Sequence, residues 1–162
     1  MRLHRPLFAV SLCIVLLGVF AWAQGRKPGL YEVTSKMTWQ QSPFPGGMGP
    51  GGGAHTTQVC VTQEQIDKYG DVPPQTRGNC QVTDIKKDSS SMHAATITCS
   101  VPMAGTGTVD TKLNGADSSH STIHFTGNMQ MGSDSKTIEW TVESDSTYKG
   151  ADCGNVKPIA AR

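Results

Sequence analysis

Beyond residue 23 this chain has no long hydrophobic run, no C-x-x-C pair, little leucine or alanine and no cluster of basic charge. Each absence removes a class of protein. Without a stretch of roughly 20 apolar residues, no downstream helix can span a bilayer. Without closely spaced cysteines, neither a thioredoxin-like redox pair nor a zinc site built from close ligand pairs is favoured. The 14 Lys+Arg are balanced by 13 Asp+Glu, and no basic stripe stands out, which argues against nucleic-acid binding. The motifs G-x-S-x-G and H-E-x-x-H, the P-loop and the dinucleotide fingerprint do not occur. Asp110, Glu139, Glu143 and Asp145 are scattered over polar strand positions. The chain is therefore expected to be no enzyme and to need no cofactor.

What is present begins at the N-terminus. Arg2, His4 and Arg5 precede an apolar run from Leu7 to Phe20, too short to span a bilayer comfortably. Ala21-Trp22-Ala23 then places small residues at −3 and −1, so cleavage is expected before Gln24. Cys13 lies inside the apolar run behind Leu12, where a lipoprotein signal needs a small residue. Residues 1–23 read as an export signal, 24–156 as one β-rich domain and 157–162 as a disordered tail. The expected product is periplasmic or secreted, soluble and monomeric. About 140 residues suffice for one hydrophobic core.

Thr, Ser, Gly and Val dominate the remainder and favour strands and turns. Over 29–39, Tyr31, Val33, Met37 and Trp39 share one parity while Glu32, Thr34, Lys36 and Thr38 share the other, as in a half-buried strand. Three prolines and six glycines within 42–53 predict a flexible loop. A second strand follows at 54–61. Thr62-Gln-Glu-Gln65 has the form of a capping box and opens a short helix over about 63–69. Strands are then expected at roughly 80–87, 92–101, 105–113, 119–131 and 135–149, separated by turn-forming residues. The fold predicted is all-β: a curved antiparallel meander of about seven strands, barrel- or sandwich-like, with one short helix and two disulfides.

Parity constrains the register. Ile123, Phe125, Met129 and Met131 are odd-numbered, and Ile138, Trp140 and Val142 are even-numbered. Opposed residues point to one face, so a loop of two or four residues must join these strands. Gly132-Ser133 would set Phe125 against Trp140; a four-residue loop would lay Trp140 over Gly127. Four cysteines remain after cleavage, and four allow three pairings. If Asp88 to Ser91 is a four-residue loop, Cys80 faces Cys99 at a separation a disulfide can bridge. Cys60 is then left to pair with Cys153.

Candidate sites are few. His120 and His124 lie four apart, roughly 13 Å on a strand, too far to grip one ion. Met129-Gln-Met131 suits Cu(I) chemistry, but both methionines continue the inward parity of Phe125. Tyr31, Trp39, Phe125 and Trp140 either fill the core or line a concave face for a small apolar or amphipathic ligand. The expected function is a non-enzymatic binding or structural protein of the cell envelope, with a small ligand or an envelope protein as partner. The alternative is copper handling through methionine and histidine.

Pro28-Gly-Leu-Tyr-Glu-Val33, Val59-Cys-Val-Thr62, the lone Cys80, Cys99, Gly105-Thr-Gly-Thr108 and Gly150-Ala-Asp-Cys153 occur in an order that resembles an exported bacterial family, domain of unknown function 3617. Tyr31 stands where that family more usually has Trp. The resemblance implies export and four paired cysteines, and no activity.

Overall fold

Alternation of apolar and polar residues builds every strand. In the fifth, each odd residue from Gly107 to Leu113 is buried and each even one exposed. The computed structural model describes residues 25–47, 52–69, 79–89 and 92–158. The segment read above as an export signal, residues 48–51 of the Gly/Pro loop, residues 70–78, hairpin residues 90 and 91 and the end of the tail lie outside them. The strands are β1 (Gly29–Gln41), β2 (Ala54–Val61), β3 (Cys80–Ser89), β4 (Met92–Cys99), β5 (Met103–Leu113), β6 (Ser118–Met131) and β7 (Asp134–Gly150), and one helix, α1 (Gln63–Tyr69), follows β2. They form a single antiparallel sheet in the order β2-β1-β7-β6-β5-β4-β3. The sheet is open: its two ends, β2 and β3, do not pair, so neither a closed barrel nor a two-sheet sandwich forms. The β3 edge breaks its ladder between Thr83 and Lys86, and Asp84 there has a φ of 50°. Bulges of this kind twist an edge away from further pairing.

The core occupies the inner face of β3 to β7. Ala95, Ile97, Cys99, Val109, Ile123, Phe125 and Ile138 form it, with Trp39, Val82, Met103, Met129, Trp140 and Val142 packed around them. Phe125 pairs with Gly107, and Gly127 pairs with Gly105. Its ring therefore lies over a platform of three glycines: a Cβ on Gly105 would come within 2.8 Å of the ring, and one on Gly127 within 3.0 Å. An aromatic laid over strand glycines covers backbone that would otherwise be wet. β6 and β7 turn through Gly132-Ser133, and Phe125 faces Trp140, as the two-residue loop requires.

Both cysteine pairs fall at disulfide distance, Cys60–Cys153 with Cα atoms 5.5 Å apart and Cys80–Cys99 at 3.9 Å. The hairpin that pairs Cys80 with Cys99 differs from the expected one. Its last paired residues are Ser89 and Met92, not residues flanking a four-residue loop. Two one-residue register shifts, at Thr83/Lys86 and Lys87/Ser89, then recover the pairing that a four-residue loop would have produced. Asp84 consequently sits in a bulge and is exposed.

The capping box of α1 is formed: the Gln65 amide donates to Thr62 Oγ1 at 3.2 Å, and the Thr62 amide to Gln65 Oε1 at 2.9 Å. Thr62→Ala should lower stability by about 1 kcal/mol. Urea unfolding checks this, with a lower midpoint and an unchanged slope expected.

Candidate functional site

Register stacks the inner face of β1, β7 and β6 into rows. Trp39–Trp140–Phe125 forms one and Met37–Val142–Ile123 the next. Beyond these the inward residues change character. Ser35–Ser144–Ser121 makes the third row and Val33–Ser146–Ser119 the fourth. On β5, Thr111 extends the hydroxyl row beside Ser121. Small hydroxyl side chains in place of branched apolar ones leave space, and a pocket of about 210 Å³ opens there. Val33, Ile123, Trp140 and Val142 give its lining apolar surface, and Ser35, Ser119, Ser121, Ser144 and Ser146 give it hydroxyls.

Arg26, in the segment before β1, supplies the only charge among the described lining residues. Its Nη2 donates to Ser146 Oγ at 3.1 Å, and its guanidinium lies 4.1 Å from the Tyr31 ring centroid. The segment is fastened at neighbouring points. Tyr31 donates its hydroxyl to the Lys27 carbonyl at 2.7 Å, and Lys27 Nζ meets Asp117 at 2.9 Å. Burial pushes the Tyr31 phenol above its ordinary value, with Arg26 pulling the other way. The hydrogen bond to Asp117 raises the Lys27 ammonium. The hydroxyls pair as well: Ser35 with Ser144 at 2.8 Å and Thr111 with Ser121 at 2.9 Å. The indole N–H of Trp140 is buried with no hydrogen-bond partner.

The four aromatics expected at a ligand face are distributed as follows. Trp39, Trp140 and Phe125 share a row, with Phe125 stacked on Trp140 at 5.0 Å between centroids. Phe125 is 0% and Tyr31 1% exposed. Trp140 lines the pocket. Trp39 meets the Phe44 ring edge-on at 6.4 Å, because the start of the Gly/Pro loop folds back over it. Tyr31 lies at the far end, beneath Arg26 and edge-on to Tyr148.

Sulfur and imidazole fall on opposite faces of β6. Met129 packs inward against the core, and Met131, at the hairpin end, is exposed. His120 and His124 point outward, His120 to Asp145 at 2.9 Å and His124 to Glu139 at 3.5 Å. Among the described residues, no group of three His, Cys, Asp or Glu could hold a metal ion. The carboxylates of Glu139, Glu143 and Asp145 alternate with the inward Trp140, Val142 and Ser144, and so share the outer face of β7.

The chain was compared with known proteins. A family model described as protein of unknown function (DUF3617) matches residues 26–153. The chain belongs to this family. The DUF3617 match starts at Arg26, the cation of the pocket, and ends at Cys153, the last bridged cysteine. It thus spans the whole sheet. No curated protein and no solved structure matches.

Arg26 and the five serines are the residues that strand-by-strand reading missed. The signal existed for the serines, whose parity continues that of Val33, Ile123 and Val142. Arg26 precedes the first strand and carries no periodicity that could place it.

Proposed function

We propose that this DUF3617 protein is an exported binding protein of the periplasm or cell surface, one that holds a small amphipathic ligand on its inner sheet face and catalyses no reaction. The observation that carries this reading is the pocket, whose lining mixes apolar side chains with hydroxyls. Binding sites combine an apolar surround with a few placed polar groups. A cavity of about 150 Å³ is enough to take up benzene, so this one suits a ligand with an apolar part near one ring in size. Catalysis finds no support among the described lining residues, where no carboxylate, imidazole or thiol stands beside Arg26. General acid–base chemistry needs a group that titrates near the working pH. Export is supported by the apolar run from Leu7 to Phe20 before Gln24 and by two disulfides, which persist in oxidising compartments.

Benzyl alcohol, titrated into the nitrogen-15-labelled protein, should move the Trp140 indole resonance and the amides of Val33, Ile123 and Val142 saturably. Ser144→Phe places a ring in the pocket and should abolish those shifts while the protein still unfolds cooperatively. The reading fails if neither benzyl alcohol nor benzoate produces saturable shifts at these positions.

A further inference from the structure

The pocket has a sign. Each hydroxyl carries one proton and two lone pairs. In the Ser35–Ser144 pair one proton is used between the two oxygens and the other remains. The Thr111–Ser121 pair likewise keeps one. Ser146 accepts from Arg26, and its own proton is not consumed by that bond. The Trp140 N–H is buried without an acceptor. Among the described lining residues the side-chain acceptors are hydroxyl lone pairs, with no carboxylate and no amide oxygen, and the one formal charge is the Arg26 guanidinium. Ser119, Ser121 and Ser146 are each more than nine-tenths buried and Arg26 is half-buried, so these hydroxyls act where water screens them little.

We infer that the ligand is a compact organic anion: a carboxylate on an apolar body about the size of one ring. This rests on the binding reading above and narrows it. The carboxylate takes the guanidinium and the unspent hydroxyl protons, and the body lies against Val33, Ile123 and Val142. Guanidinium matches carboxylate with two parallel donors, a geometry an ammonium cannot reproduce. A cationic ligand of the same size meets Arg26 as a like charge and is rejected.

Benzoate, benzyl alcohol and benzylamine present the same ring with a negative, neutral and positive head. Followed by the same resonances, benzoate should bind about tenfold or more tightly than benzyl alcohol, as hydrogen bonds to a charged group allow. Benzylamine should bind more weakly than the alcohol. Arg26→Gln should bring benzoate down to the level at which the same variant binds benzyl alcohol. Arg26→Lys, which keeps the charge without the fork, should retain part of the preference. If benzyl alcohol binds and benzoate binds no better, the anion inference is overturned and the binding reading stands. If none of the three binds, both fall. An equal loss of benzoate and benzyl alcohol in Arg26→Gln overturns the role given to the guanidinium.

Discussion

Phe125→Ala should cost about 3–5 kcal/mol, the upper end for a core truncation. The reason is the floor beneath the ring. A cavity costs least where neighbours can collapse into it, and here three neighbours are Gly105, Gly107 and Gly127, which have no side chains to move. The backbone cannot close the gap either, because these residues are paired across β5 and β6 in an unbroken ladder. Trp140, stacked on the ring at 5.0 Å, loses its partner as well, and such pairs contribute about 0.5–1.5 kcal/mol beyond their burial. For a domain of this size the melting temperature should fall by about 10–20 °C. Phe125→Leu, which keeps much of the volume, should cost less than half as much. A loss under about 1.5 kcal/mol for the alanine variant, a value usual for a single methylene or two, would show that the ring is not enclosed as described.

The same residue shows how much of the fold could be read in advance. Phe125 opposite Trp140 follows from parity and a two-residue turn, both local properties of the chain. The helix cap at Thr62 and Gln65 is equally local, and it forms as its spacing predicts. Closure is a different matter. Whether β2 meets β3 depends on how twist accumulates over seven strands and on the bulge at Asp84, and neither leaves a mark in hydrophobic alternation. The Cys80–Cys99 register shows the limit most clearly. A four-residue loop and two successive ladder shifts place the same residues opposite one another, so the disulfide was legible although the hairpin was not. Met131 carries inward parity yet is exposed, because β6 runs past the end of the core.

The site was less legible than the fold for a physical reason. Alternation assigns polar residues to the outer face, and a serine on the inward parity looks like a weak strand residue rather than a wall. Only when the rows of β1, β7 and β6 are aligned do Ser35, Ser144 and Ser121 fall side by side. Arg26 becomes part of the site through the fastening of its segment at Tyr31, Ser146 and Asp117. Of the aromatic row, Phe125 belongs to the core and Trp140, packed against it, also lines the pocket.

Removing the Cys60–Cys153 bridge should cost more than removing Cys80–Cys99, and it should act at a particular edge. On the chain-entropy model, closing 93 residues is worth about 4.5 kcal/mol and closing 19 about 1.4 kcal/mol less. The geometry adds a local effect. Leu30 of β1 pairs with Cys60 on one side and with Gly150 on the other, so the bridge runs across the end of β1 and ties edge strand β2 to the chain leaving β7. Gly29 permits this close crossing: its φ is 144°, and a Cβ there would stand 2.8 Å from the Tyr148 ring and would collide with the Gly150 carbonyl oxygen. Beyond the bridge, β2 is held by its ladder to β1, by the Thr34–Thr56 hydroxyl pair at 2.9 Å and by a contact from Pro158 to Cys60. In the double variant Cys60→Ala/Cys153→Ala, which leaves neither thiol unpaired, amides of Ala54–Val61 should exchange with solvent far faster than the fall in global stability requires. Amides of β5 and β6 should lose protection only in step with that fall. Uniform loss of protection over all seven strands would mean that β2 unfolds with the rest of the sheet, and a larger loss of stability on breaking Cys80–Cys99 would reverse the ranking of the two bridges.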